Sequence, residues 1–145
     1  MADDTTASTT VAAPVGAVLA VIADLPSYPL WASELKRVEV LDTGADGKPR
    51  TARFELSAGG MSDAYTLAYD WAEDGVSWRL AEPSSLQKSQ TGSYQLADSF
   101  GQTLVTYQLR IDARLPMIGL MRRKIEKRIV EAALEELKKR VESLR

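Results

Sequence analysis

The pattern of apolar and polar positions divides the chain into a strand-rich body and a long C-terminal helix. From Pro116 to Leu144, apolar residues recur at helical spacing and predict one amphipathic helix. At ~1.5 Å per residue it would be about 43 Å long, so it needs a broad apolar surface. We expect a curved sheet to supply that surface. The predicted apolar stripe is Ile118, Met121, Ile125, Ile129, Leu134, Leu137, Val141 and Leu144.

Before the sheet, the pattern predicts an edge strand and two short helices. Thr5 to Ala12 is rich in Thr and Val, which favours a strand. Pro14 suits the first turn of a helix, where its missing N–H has no intrahelical partner. Val15, Val18, Leu19 and Ile22 follow at helical spacing. A further short turn between Ser27 and Ser33 carries Tyr28 and Trp31.

Six further strands follow, with alternating apolar residues and turn signals between them. Asp46-Gly47, Gly59-Gly60 and Asp74-Gly75 suit tight hairpins, because glycine accepts a positive φ. Helices on one face of an antiparallel sheet of six to seven strands predict the α+β class, in a single domain over residues 1–145. The strands are marked by Val38–Leu41, Ala52–Ala58, Tyr65–Trp71, Val76–Leu80, Tyr94–Leu96 and Val105–Ile111.

Composition excludes several kinds of chemistry. The chain of 145 residues has no cysteine and no histidine, so disulfides, thiol nucleophiles and Ser-His-Asp triads are excluded. We expect no metal and no cofactor. A net charge of −2 gives no basic surface for nucleic acid. No apolar run reaches the ~20 residues of a membrane span, and the N-terminus lacks a secretory pattern, so we expect a cytoplasmic protein.

Several segments resemble those of the START-like (SRPBCC) superfamily, in particular its polyketide cyclase/dehydrase group and the related coenzyme Q-binding proteins. The resemblance implies a helix-grip fold, in which a curved sheet wraps around the C-terminal helix, with a cavity between them. Lipid carriers and cyclases both occur in this superfamily. The segments are Ala13-Pro14, Asp24 to Trp31, Tyr65 to Trp71, Trp78 to Leu80 and Leu115-Pro116.

The third of the six strands indicates where a site would lie. One of its faces carries Asp63, Tyr65, Leu67, Tyr69 and Trp71, and this apolar face should meet the long helix. Aromatic rings there either fill the core or line a cavity, where their polar atoms would orient a ligand. The candidate ligand-binding residues are Trp31, Tyr65, Tyr69, Trp78, Gln90, Tyr94, Tyr107, Met121 and Ile125.

Two side chains have alternative interpretations. Asp63 is the candidate catalytic base if it is buried on the inward face, since burial raises a carboxyl pKa. The more common situation for an aspartate at a strand end is exposure to water, and we expect that here. Trp31 is either a lid over the cavity or a plug that anchors the short helix. Arg53 should point to solvent.

A basic cluster follows the start of the last helix. Arg122, Arg123 and Lys124 lie where cations oppose the helix dipole. They form either a solvated helix face or a transient contact for an anionic membrane or a carrier protein. We expect a monomer or a weak dimer.

Three functions are compatible with the sequence. The first is binding of an apolar small molecule, such as a lipid, an isoprenoid quinone or a polyketide-like aromatic compound. The second is a polyketide cyclase or dehydratase that uses Asp63 and tyrosines. The third is a protein- or membrane-interaction module whose interior is only a core. The first requires just shape and apolarity, so the sequence favours it.

Overall fold

The structure is a computed structural model that describes residues 4–58 (for Ala58 the backbone only), 60–114 and 119–144. Strand β1 (Thr5–Val11) is followed by helix α1 (Val15–Ala23) and a 3₁₀ helix (Leu25–Leu30). The long helix α2 (Gly119–Ser143) comes after the remaining strands. Those strands are β2 (Leu35–Thr43), β3 (Pro49–Ala58), β4 (Met61–Ala72), β5 (Gly75–Leu80), β6 (Gln87–Ser99) and β7 (Gln102–Ala113).

All seven strands form one antiparallel sheet in the order β1-β7-β6-β5-β4-β3-β2. Five hairpins connect β2 through β7 in sequence, while the two short helices carry the chain from β1 at one edge to β2 at the other. The predicted α+β class and helix-grip arrangement are confirmed, with seven strands in the sheet.

Strand β6 differs clearly from its predicted bounds. Strand β6 begins at Gln87 rather than near Tyr94, because its first half is polar and shows no apolar alternation. It nevertheless pairs with β7 along this half, and with β5 from Thr91 onward. Helix α2 is described from Gly119, and the predicted start at Pro116 and the predicted stripe residue Ile118 lie outside the described residues.

Helix α2 packs mainly against β1, β7 and α1, and its second half follows the prediction. Leu134, Leu137 and Val141 are buried, whereas the last residue of the predicted stripe, Leu144, is 59% exposed beyond the helix end. The first half is rotated relative to the predicted stripe: Met121 is 53% exposed, Ile125 is 42% exposed, and Glu126 is fully buried. The reason is that Glu126 accepts hydrogen bonds from two donors on the sheet, the hydroxyl of Thr5 and the backbone N–H of Ile111. Its position fixes which face of the helix is turned inward, and Arg122 of the same helix pairs with it there.

In the described ranges, no helix is long and apolar enough to cross a bilayer. Within the same ranges, Asp and Glu side chains do not gather in groups of three that could hold a metal ion.

Candidate functional site

A cavity of about 210 Å³ lies between the inner face of the sheet, the 3₁₀ helix and α2. It exists because α2 lies close to β1 and β7, whereas β3 to β6 curve away from the helix. Most of its surface is apolar, from Ile22, Phe54, Leu67, Leu109 and Ile129 together with a group of aromatic rings.

The aromatic rings of the cavity form a continuous wall centred on Trp78. The indole of Trp78 lies 5.5 Å from the ring of Tyr94 and 5.6 Å from that of Tyr107, between ring centroids. Tyr69 lies on its other side at 6.0 Å. Trp78 fits here because the paired residue on β6 is Gly92, where a Cβ would be 2.4 Å from the indole. The wall is therefore built by strands β4 to β7.

The tyrosine hydroxyls of this wall are the unusual feature of the cavity. Tyr28 donates a hydrogen bond of 2.5 Å to the carbonyl of Ile22. Within the described part of the chain, the hydroxyls of Tyr65, Tyr69, Tyr94 and Tyr107 have no hydrogen-bond partner. Burial, reinforced by neighbouring acidic groups and tyrosines, raises the pKa of all four well above the usual 10.0. They are neutral phenols that can donate to an oxygen of a bound molecule.

A chain of polar side chains forms one end of the cavity. Trp78 Nε1 donates to Gln90 Oε1 at 3.0 Å, and Gln90 Nε2 donates to Gln87 Oε1 at 2.7 Å. Gln87 Nε2 donates in turn to Asp63 Oδ2 at 3.2 Å, which also accepts from Ser84 Oγ at 2.6 Å. Gln87 and Gln90 line the cavity, whereas Asp63 and Ser84 lie behind them.

The solvent exposure of Asp63 differs from that expected for an aspartate at a strand end. It is 6% exposed, so the prediction that it lies in water is wrong. Ser84 and Gln87 both donate to Oδ2, whereas Oδ1 is buried without a partner among the described residues. Asp63 does not line the cavity, and its catalytic role stays a prediction that this position does not favour.

Sequence reasoning identified Gln90 but missed Gln87. The two are three residues apart and would lie on opposite faces of a regular strand. A β-bulge at Lys88, opposite the step from Ala113 to Asp112, adds one residue to β6 and turns both glutamines inward. The only signal in the sequence is the repeated glutamine in a polar stretch, which does not reveal a bulge.

The mouth of the cavity lies between α2 and the segment after the 3₁₀ helix. The exposed lining residues Glu34 and Ala132 mark it, with Glu136 beside them. Ser33 crosses this opening and donates to Glu136 from its backbone N–H (3.3 Å) and its hydroxyl (2.9 Å). The mouth therefore carries two carboxylates and one short bridge.

Trp31 lies beside this mouth and packs edge-on against Tyr28, with centroids 4.9 Å apart. Its Nε1 is buried and has no partner among the described residues. The ring lines the cavity and also ends the 3₁₀ helix, so the position fits both the lid and the plug interpretation.

Several predicted site residues lie elsewhere. Met121 and Ile125 are on the exposed side of α2 and do not line the cavity, because the helix is rotated as described above. Trp71, predicted on the same strand face as Tyr65 and Tyr69 but not as a ligand-binding residue, lies beyond the cavity, where its indole donates to the carbonyl of Pro49 at 2.6 Å. Arg122, a member of the predicted anion-binding cluster, is mostly buried and pairs with Glu126 at 3.0 Å.

A second depression of about 490 Å³ lies against the strands from β4 to β7. Half of its lining residues are exposed, among them Asp70, Asp74, Ser77 and Gln95. It is a broad surface hollow with a mixed polar lining, so the aromatic cavity is the better candidate site.

The chain matches the model of one protein family along nearly its whole length. The match covers residues 3–142, and the family is described as polyketide cyclase / dehydrase and lipid transport. The chain belongs to this family. With its structural matches, this confirms the START-like (SRPBCC) superfamily expected from the sequence motifs. No protein of curated function matches the chain.

Several solved structures share the fold. A START superfamily protein from Mycobacterium smegmatis is 24% identical with a TM-score of 0.92, covering 98% of this chain and 99% of its own. The aromatase/cyclase Zhui from Streptomyces sp. R1128 is 19% identical with a TM-score of 0.76, covering 97% and 93%. A protein from Thermus thermophilus is 19% identical with a TM-score of 0.82, covering 98% and 99%. At these identities the likeness concerns the fold alone.

Proposed function

We propose that this member of the START-like superfamily binds a compact, neutral, largely aromatic small molecule in the cavity between the sheet and α2. The observation that carries the proposal is the set of four tyrosine hydroxyls in the cavity wall without a partner in the described part of the chain. Polar groups inside a protein are almost always hydrogen-bonded. A ligand oxygen, or water in its absence, would satisfy them.

The size of the cavity narrows the ligand class. At about 210 Å³ it is larger than the ~150 Å³ apolar cavity that accepts benzene. It is smaller than the ~300–1,000 Å³ of typical ligand pockets. The volume suits a bicyclic molecule of roughly ten non-hydrogen atoms. It favours a polyketide-like aromatic compound over a long-chain lipid or an isoprenoid quinone.

The negative charge at the cavity entrance also favours a neutral ligand over a fatty acid. Glu34 and Glu136 line the cavity near its mouth, and no described cationic side chain is among the lining residues. A fatty acid carboxylate entering there would meet like charges in a partly desolvated site, where repulsion is stronger than in water. A neutral ligand avoids this cost and can still accept hydrogen bonds from the phenols.

Native mass spectrometry of protein purified from cells, followed by calorimetric titration with the bicyclic ketone tetralone, tests the proposal. We expect a bound neutral aromatic molecule in the first measurement and saturable one-to-one binding in the second. If the ligand-free protein shows no heat change with tetralone and the purified protein carries no small molecule, the proposal is wrong.

The variant Gly92→Ala locates the binding to the cavity. The added Cβ would overlap the indole of Trp78 and drive it into the cavity. We expect tetralone affinity to fall at least about tenfold because the remaining space is too small. Gly16→Ala is the matched control, because a Cβ at Gly16 meets nothing within 4 Å. Equal affinity in the two variants would place the binding site elsewhere.

A further inference from the structure

At the polar end of the cavity, the residues at the two ends of the hydrogen-bonded chain fix the orientation of the glutamine amides between them. Trp78 Nε1 can only donate a hydrogen bond, and a carboxylate such as that of Asp63 can only accept. Between these two ends, each glutamine amide has just one orientation that avoids a clash of two donors or two acceptors. Gln90 must accept from the indole and donate to Gln87, and Gln87 must donate to Asp63.

This arrangement leaves donors for a ligand. An amide nitrogen carries two N–H groups. Gln87 Nε2 and Gln90 Nε2 each use one of them within the chain of hydrogen bonds, and both side chains line the cavity. Each glutamine therefore keeps one N–H group that the chain of hydrogen bonds does not use.

We propose that Gln87 and Gln90 form a subsite for an uncharged acceptor oxygen, a ketone or a phenol ether, and that Asp63 is a positioning residue for it. The inference rests on the proposed function and adds the polarity of one end of the ligand. The bulge at Lys88 supports it, since this irregularity turns a second amide into an otherwise apolar cavity. A regular strand would still complete the sheet, but it would turn one of the two amides away from the cavity.

The test compares tetralone with tetralin, the same bicyclic skeleton without the carbonyl oxygen. Calorimetric titration measures tetralone, and competition against tetralone measures tetralin. In the unmodified protein we expect tetralone to bind about fivefold to tenfold more tightly, the effect of one or two hydrogen bonds. In Gln87→Met we expect this ratio to fall below about two, while tetralin affinity changes little.

Asp63 is tested by two substitutions with opposite expectations. Asp63→Leu removes the acceptor that holds Gln87, so the tetralone preference should fall at least about threefold. Asp63→Asn should keep most of it, because the amide oxygen can accept from Ser84 and Gln87 in place of Oδ2. Asp70→Asn, on the exposed face of the same strand, is the control and should match the unmodified protein.

The outcomes separate this inference from the proposed function. If tetralin and tetralone both bind the unmodified protein with equal affinity, the cavity binds ligands but the subsite does not exist. If both affinities fall together in Gln87→Met and Asp63→Leu, these residues only maintain the fold, and the inference is overturned. Absence of all binding in the unmodified protein overturns both.

Discussion

Glu126 is the residue on which the docking of α2 depends most. Its carboxylate accepts hydrogen bonds from Thr5 Oγ1 at 2.7 Å and from the backbone N–H of Ile111 at 2.6 Å. Arg122, one turn earlier, donates to both carboxylate oxygens at 3.0 Å. The described pairs between β1 and β7 end at Thr5 and Leu109. The backbone N–H of Ile111 lies beyond this last pair, and it donates to Glu126 instead of to β1. One side chain therefore joins α2 to two strands.

We predict that Glu126→Leu lowers the free energy of unfolding by about 3–5 kcal/mol, because it leaves the guanidinium of Arg122 buried without its partner. Glu135→Leu is the control on the same helix. Its pair with Lys139 is exposed, so its loss should cost under about 1 kcal/mol. Urea denaturation measures both. Equal stability of the two variants would contradict the role of Glu126.

Single residues are where prediction from the sequence failed, and in each case the cause is a hydrogen bond between distant segments. Helical spacing placed Ile125 inward, since apolarity alone favours it over Glu126. Donors from β1 and β7 reverse that choice. Asp63 is likewise buried because of Ser84 and Gln87, more than 20 residues away in the chain. By contrast, Tyr65 and Tyr69 face the cavity as strand alternation predicted.

At the scale of elements, the last turns of α2 are fixed to the end of β1. Glu142 Oε2 accepts from the backbone N–H of Ala12 and from Lys138 Nζ, both at 2.9 Å. Lys138 also donates to the carbonyl of Thr10. The helix end is thus held by side chains that reach past the edge strand, in addition to the buried Leu137 and Val141.

We predict that this contact weakens in acid. The hydrogen bond from Ala12, with that from Lys138, lowers the pKa of Glu142 below its usual 4.5. A carboxyl whose pKa is lowered on folding adds stability above its unfolded value, and this is lost as pH falls through its folded value. Glu142→Gln should therefore be less stable than the unmodified protein at neutral pH and equally stable at about pH 2. Thermal unfolding measures the difference.

The exposed Glu131, on the same helix, provides the comparison variant Glu131→Gln for this prediction. A stability difference for Glu142→Gln that persists unchanged in acid would mean that the side chain acts through packing rather than charge.

Elements were predicted best where apolar residues alternate clearly. Strands β4, β5 and β7 and the second half of α2 follow from their sequence period, because each has one face in the core. The first half of β6 has no such signal, since its inward residues are glutamines in a hydrogen-bonded chain. The cavity wall was therefore predictable in its aromatic part, while its polar end was not.

The whole molecule has an unusual concentration of buried phenols, and this determines its response to alkali. All five tyrosines are raised in pKa above the usual 10.0, primarily by burial. A tyrosine whose pKa is raised on folding does not lower the free energy of unfolding at pH values below its pKa in the unfolded chain. Above that value the unfolded chain loses protons that the folded protein keeps, so stability falls as pH rises.

We therefore predict cooperative unfolding above pH 10. Each tyrosine contributes up to about 1.4 kcal/mol per pH unit, or about 7 kcal/mol per unit for all five. Against a typical stability of ~5–15 kcal/mol, unfolding should occur at about pH 11–12. Phenolate absorbance and far-UV circular dichroism should change together, and Tyr94→Phe should make the transition less steep by one proton. Phenolate absorbance that rises gradually while the dichroism stays native would show that the rings reach water through the cavity mouth.

A bound neutral aromatic molecule should move the transition to higher pH, because it stabilises only the folded state in which the hydroxyls are protonated.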